Sequence, residues 1–295
     1  AALKILPPFL VPQSNFKFYV YDKQNLRDEG TLEAPSGTET HRFDYQVSTR
    51  SVTAKEYGAK HLVLGKDARD FDRPVADLRQ DAALSNMEKL LIKMETQMYT
   101  KISTTGNYPS ALTAALGNTW SGGAGDPVED VRLMREAVFT NSAKRANKIA
   151  MNQRSLDYLK NHPSIVDRIK FVGLGAAAGD QGAVVDAISR LFECDIIVSD
   201  AAKLTSNEGA TDASAAIWGS VVLCFHQGPP GLRSMTYGNT FMVNQLSTKS
   251  LSRPELARGD LGAEEIETSW EYAQEFVAQV SDGDSTAGYL ATGAY

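Results

Sequence analysis

Cysteine, histidine and surplus positive charge are all scarce in this sequence of 295 residues, and each scarcity removes a class of function. Cys194 and Cys224 are too few and too far apart in sequence for a disulfide framework, so buried reduced thiols are expected. His41, His61, His162 and His226 are scattered, with none at a metal-ligand spacing from another His or Cys. With 30 Lys and Arg against 36 Asp and Glu, the formal charge is −6, which argues against a surface that coats nucleic acid. A protein that encloses nucleic acid without reading it is compatible with that charge. No apolar run approaches the roughly 20 residues of a membrane span. The opening Ala-Ala lacks the basic segment and apolar core of an uncleaved secretion signal. A serine-nucleophile elbow and a phosphate-binding P-loop are also missing. No catalytic, cofactor-binding or metal-ligating residue is assigned, and no enzyme activity is expected from these patterns.

What the sequence does have is one dominant helical pattern. Leu84, Met87, Leu91, Met94, Met98 and Ile102 recur by threes and fours within residues 74–103, with Lys89, Lys93, Glu95, Gln97 and Lys101 filling the polar positions between. Asp70, Asp72 and Pro74 suit the start of a helix, and Thr104 to Asn107 followed by Pro109 suit its end. About thirty residues at about 1.5 Å each predict a rod of roughly 45 Å, long enough to span its own domain.

Residues 1–15 combine apolar side chains with Pro7, Pro8 and Pro12, which predicts an extended arm in need of a groove on this chain or a neighbour. Alternation at Phe16, Phe18, Val20 and again at Phe43, Tyr45, Val47 predicts two strands around a polar tip. That pattern fits a hairpin projecting toward another subunit, or a loop over a small sheet. Ser51 to Glu56 reads as a capped helical turn closed by Gly58. Lys66, Asp67, Arg69, Asp70, Asp72 and Arg73 read as interfacial ion pairs at the entrance of the long helix.

A second lobe is expected from about residue 116. It should hold a helix from Asp126-Pro127 with Val128, Val131, Leu133, Met134 and Val138 apolar, a strand at 146–152, a helix at 153–163, a short strand at 168–172, a helix at 183–193 and a strand at 194–200. The run AAIWGSVVLCFH (215–226) predicts a central strand. The segments ETSWEYAQEFVAQV and TAGYLATGAY are strand-like and are expected to return the chain to the first lobe. Mixed helices and strands place the fold in the α+β class. Within the lobe, Gly173, Gly175 and Ala178 match a relaxed dinucleotide-binding fingerprint, with Asp195 about twenty residues on. The helix begins only after Asp180-Gln181-Gly182, so the glycines miss its first turn. A flexible glycine-rich loop is the competing interpretation.

The order of these parts resembles that of tailed-bacteriophage major capsid proteins with the HK97-like fold. SVTAKEYGAKHLV (51–63) and KIAMNQRSLDYLKNHPSIVDRIKF (148–171) are similar to runs in that family. The resemblance implies an N-terminal arm at 1–15, an extended β-hairpin or E-loop at 16–62, a P-domain with its spine helix at 63–115, an α/β A-domain at 116–245 and C-terminal strands at 246–295 returning to the P-domain. It also implies a structural role: hexamers and pentamers closing into an icosahedral head around double-stranded DNA, without sequence-specific binding or a membrane. Scaffold, portal and decoration proteins are the further partners it suggests, the virion is the implied location, and the host cytoplasm the implied place of assembly. Arm and hairpin should reach across neighbours, while the glycines near 121–125 and the polar hairpin should supply flexibility. Lys17 and Lys23 fall in the hairpin, but no motif carries over the isopeptide cross-link of some members, and none is expected. Encapsulin shells share the fold and form one alternative; a nucleotide-dependent α/β enzyme using residues 173–182 is the other.

Overall fold

The computed structural model describes residues 1–21, 37, 39, 47–64, 78–123, 125–171, 181–207, 209–229, 235–243, 247–252, 263–278 and 285–295. At the N-terminus a single helical turn, α1 (Ala2–Ile5), ends where Pro7 and Pro8 remove the next N–H donors, and the chain continues extended as β1 (Pro8–Leu10). β2 (Asn15–Tyr21) and β3 (Val47–Thr53) pair antiparallel, from Asn15↔Thr53 to Tyr21↔Val47, as the base of the expected hairpin. Its tip and the expected strand residues Phe43 and Tyr45 lie outside the described residues.

β4 (Lys55–Leu64) follows directly, so the helical turn expected at Ser51 to Glu56 is two strands meeting at Ala54. Pairing overrides the local capping pattern there. Phe16 and Asn15 already face Val52 and Thr53, and Ala54 donates its N–H to the Ser14 carbonyl at 2.8 Å.

The long helix, α2 (Leu78–Ser103), has 26 residues, a length of about 39 Å. Its buried line is Ala82, Asn86, Leu90, Met94, Met98 and Ile102, a strict four-residue step. Four residues turn an ideal helix about 40° past a full circle, so this line winds around the rod. Leu84 and Met87, expected in the core, are left 51% and 38% exposed. Large apolar residues mark one helical face in the sequence, whereas the sheet selects small Ala82 and hydrogen-bonding Asn86, whose Nδ2 donates to the Ile266 carbonyl at 3.0 Å.

Beyond β5 (Thr113–Ala115), Asp126 caps α3 (Pro127–Ser142) by accepting the Val128 N–H at 3.2 Å, with Pro127 in the first turn. Leu133 on this helix is exposed rather than buried. β6 (Lys148–Asn152) leads into α4 (Gln153–Asn161), capped by Asn152 through the Ser155 N–H at 2.7 Å. The short strand expected at 168–172 is instead the end of a helix, α5 (Pro163–Phe171). Pro163 opens that helix, and Ile165 and Ile169, four apart, turn one face inward. There follow α6 (Gln181–Phe192), β7 (Asp195–Ser199), a small exposed hairpin of β8 (Ala202–Leu204) and β9 (Ser214–Ala216), and then β10 (Val221–Phe225). The chain closes with β11 (Gly238–Met242), β12 (Ser247–Ser252), β13 (Ala263–Phe276) and β14 (Gly288–Thr292).

Two five-stranded sheets organise the chain. In one, β13 is flanked by β4 on one side and by β11 and β12 on the other, with β1 parallel to β11. Alternate residues of β13, among them Ile266, Trp270, Tyr272 and Phe276, are buried on the side of α2. The other sheet runs β5-β14-β10-β6-β7, with β10 central as the apolar run at 215–226 predicts. The closing strands therefore part company. β13 joins the sheet against α2, whereas β14 pairs with β10 on one side and with β5 (Thr113–Ala115), at the end of the first lobe, on the other. A single large core, from Ile5 and Leu6 through Met98 to Phe225 and Leu290, joins both sheets to α2. Among the described residues no helix is long and apolar enough to cross a membrane.

Candidate functional site: the seats of the arm and the hairpin

The arm finds its groove on its own chain. Ile5 and Leu6 are fully buried; the Thr240 N–H donates to the Pro7 carbonyl at 2.9 Å and the Val11 N–H to the Met242 carbonyl at 2.8 Å. Prolines suit this position because an edge strand needs its donors on one side only. Gly238 makes room for the arm: a Cβ there would lie 2.6 Å from both Leu6 Cδ2 and the Glu275 carbonyl oxygen.

A buried carboxylate closes the seat. Glu95, read from sequence as part of the polar surface of α2, is only 6% exposed. Its Oε2 accepts the Ala2 N–H at 2.7 Å and lies 3.1 Å from the Ala1 nitrogen. Its Oε1 accepts the Ser199 hydroxyl and the Trp218 indole N–H, both at 2.9 Å. One side chain thus fastens the arm, α2, the end of β7 and the approach to β10. A buried charge is tolerated only with such a set of donors.

The hairpin seats on the opposite face of the first sheet. Phe16, Phe18 and Val20 with Val52 form a cluster around Phe241 and Val277. The Phe241 ring lies 6.0 Å from Phe9, 4.8 Å from Phe16 and 5.2 Å from Phe18, so arm and hairpin share one anchor. The base of the hairpin is thereby packed on its own chain, contrary to the expectation that the element needs another subunit. Two strands gain stability from a third layer, and Phe241 supplies it. Lys17 is exposed on β2.

Where β3 passes into β4, a cleft of about 200 Å³ is lined by Lys55, Tyr57, Gln97, Lys101, Tyr272 and Glu275. Lys101 donates to the Gln274 carbonyl and pairs with Glu275 at 2.7 Å. Burial lowers its pKa, opposed by Glu275. Tyr272 donates to Gln97 Oε1 at 2.8 Å, so Lys101, Glu275, Tyr272 and Gln97 are all engaged within the chain.

The other ionisable groups of the core are structural. Tyr108 and Tyr237 share a hydrogen bond of 2.5 Å between their hydroxyls, and burial raises both, as it does Tyr272. A raised folded-state value means the native protein keeps protons that the unfolded chain releases near 10.0. This contribution to stability is complete below pH 10 and is lost as pH rises toward the folded values. Stability is expected to fall above pH 10, with the Tyr108–Tyr237 pair ionising only as the subunit unfolds. An absorbance titration of tyrosinate alongside far-ultraviolet circular dichroism checks this; ionisation of every tyrosine before any loss of structure would contradict it.

Cys194 and Cys224 are buried and free, and the Cys194 thiol donates to the Ala146 carbonyl at 3.5 Å; the neighbouring Cys194 thiol and burial hold the Cys224 thiol well above its ordinary range. His162 is buried and His61 exposed, while His226 Nδ1 lies 2.8 Å from the Arg145 carbonyl; among the described residues no His, Cys, Asp and Glu gather as a metal site. Gly173, Gly175 and Ala178, the cluster Lys66 to Arg73, Lys23 and His41 lie outside the described residues. The nucleotide-binding fingerprint nonetheless loses its context, because α5 stands where the motif requires a strand.

No protein-family model matches the sequence. In sequence the chain is similar to the major capsid protein of Burkholderia phage BcepMu, 21% identical over 225 residues, covering 75% of this chain and 69% of the relative. In structure it matches a phage-related protein from Bordetella bronchiseptica with a TM-score of 0.72 at 19% identity, covering 99% of this chain and 91% of the other. The capsid of cyanophage P-SCSP1u matches with a TM-score of 0.62 at 10% identity, covering 98% and 86%. An encapsulin from Synechococcus elongatus matches less well, with a TM-score of 0.52 at 11% identity and coverage of 99% and 86%. The chain has the HK97-like fold from arm to last strand. In sequence the chain is thus similar to a phage major capsid protein, and in fold to a phage-related protein and a phage capsid subunit.

Proposed function

We propose that this chain is the shell subunit of a tailed-phage head, assembling into hexamers and pentamers that close around double-stranded DNA inside a virion. The observation that carries this is the match over 99% of the chain, arm and hairpin base included, to a phage-related protein, together with sequence similarity to a phage major capsid protein. The net charge of −6 fits a container whose contents must move past its wall without adhering.

In this proposal residues 1–15 are the arm, 16–62 the E-loop, 63–115 the P-domain and 116–245 the A-domain. Of the closing segment 246–295, β12 and β13 belong with the P-domain sheet, while β14 lies between β10 of the A-domain and β5 at the end of the P-domain. Gly123 and Gly125, with φ of 66° and 98°, occupy the left-handed region early in the A-domain, a few residues after the P-domain ends. They are the positions best suited to absorb the small rotations that distinguish a hexamer from a pentamer. Assembly in the host cytoplasm, with scaffold, portal and decoration proteins as partners, completes the proposal.

The contents of purified particles test it. Nuclease-resistant double-stranded DNA inside particles from infected cells is the expected result. Particles filled with a protein cargo and free of DNA would favour the encapsulin alternative.

A further inference from the structure

The cleft where β3 passes into β4 beside α2 holds more hydrogen-bond donors than its own acceptors use. A lysine ammonium has three N–H groups, and for Lys101 the Gln274 carbonyl and the Glu275 carboxylate account for two. Gln97 accepts the Tyr272 hydroxyl at its Oε1, but its amide NH₂ has no partner among the described residues. The same holds for the Tyr57 hydroxyl, on a ring stacked 4.7 Å from that of Tyr272, and for the exposed Lys55 ammonium. Unused donors converging on one recess call for an acceptor-rich ligand.

The charges point the same way. Lys55 and Lys101 face a single carboxylate, Glu275, and Arg50 lies close enough for its charge to work against that of Lys101. A chain of net charge −6 therefore has a local positive focus at the foot of its hairpin. Lys101 is also held in place before any ligand arrives, with its ammonium 5.2 Å from the centre of the Phe276 ring. Burial penalises that ammonium, and an anion beside it offsets the penalty. At about 200 Å³ the cleft is smaller than the roughly 300 Å³ at which pockets for organic ligands begin. It suits a small anion. Duplex DNA is gripped by many cations spread along a surface, whereas these converge on one recess.

We infer that this cleft seats a small oxyanion of the phosphate class, held by Lys55, Tyr57, Gln97 and Lys101. Lys55 and Tyr57 lie at the start of β4, and Gln97 and Lys101 in the last turns of α2. The anion ties the foot of the hairpin to the long helix, a link that the seat at Phe241 on the opposite face does not make. The inference concerns the single subunit and does not depend on the shell reading.

The test titrates the unassembled subunit with inorganic phosphate by calorimetry, at constant ionic strength with chloride as the reference. Lys55→Glu alters the cleft without touching the Lys101–Glu275 pair, and Lys203→Glu makes the same change of charge on β8. Both lysines are exposed, so neither variant should unfold the subunit. Lys55→Glu is expected to bind phosphate at least tenfold more weakly than the wild type, while Lys203→Glu binds as the wild type does. Saturating phosphate should raise the wild-type melting temperature by about 2–4 °C. It should also slow hydrogen exchange at Lys55 to Tyr57 while β6 and β7 stay unchanged. No phosphate binding by the wild type, equal affinity in Lys55→Glu, or an equal loss in Lys203→Glu would overturn the inference. So would binding of a duplex without terminal phosphates, weakened by Lys55→Glu and not displaced by inorganic phosphate, since it would assign these residues to a nucleic-acid backbone.

Discussion

Glu95→Ala is expected to destabilise the subunit by about 3–5 kcal/mol. The substitution deprives the Trp218 indole, the Ser199 hydroxyl and the Ala2 amide of their shared acceptor. Each buried donor left unpaired costs about 1–3 kcal/mol, and removing the charge returns part of its desolvation, which holds the net below the plain sum. Glu95→Gln keeps the shape and one acceptor oxygen but turns an amide NH₂ toward donors, so about half the loss is expected. Urea unfolding of the unassembled subunit, with an unchanged dependence on denaturant, measures both. A loss under about 1 kcal/mol in Glu95→Ala would show that the carboxylate does not fasten the arm.

Phe241→Ala should have a comparable total effect with a different distribution. Its ring is fully buried among Phe9, Phe16 and Phe18, and truncating such a residue costs about 3–5 kcal/mol. The loss falls on the two elements that share the anchor. Hydrogen exchange should quicken in β1, β2 and β3 while β6, β7 and β10 keep their protection, because those strands belong to the other sheet. Uniform loss of protection across both sheets would mean that Phe241 supports the whole core and is no specific seat.

The contrast between Glu95 and Phe241 shows what was legible in the sequence. Local patterns disclosed α2, the alternation of β2, the start of α3 at Asp126-Pro127 and the central strand β10, since each is written within one segment. Glu95 is one step from Met94 and three from Met98, yet its charge placed it with the solvated residues. Only donors at Ser199 and Trp218, more than a hundred positions away, make it a core residue. Phe241 is likewise one aromatic among many until the arm and hairpin, over two hundred residues earlier, close on it. The end of α5 reads as a strand in sequence because Ile169 and Phe171 suit either period over so short a run, and Pro163 is the one local signal of its start. The order of the parts, more than any motif, carried the resemblance to capsid proteins, and that order is what the fold preserves at 10–19% identity.

The central claim is that copies of this chain build a closed shell. Light scattering coupled to size exclusion, with electron micrographs of the heaviest fraction, tests it most directly, on the purified chain alone and after co-expression with phage head proteins. The account predicts round particles tens of nanometres across, containing on the order of a hundred or more copies. A sharp monomer or dimer peak in both preparations would contradict it.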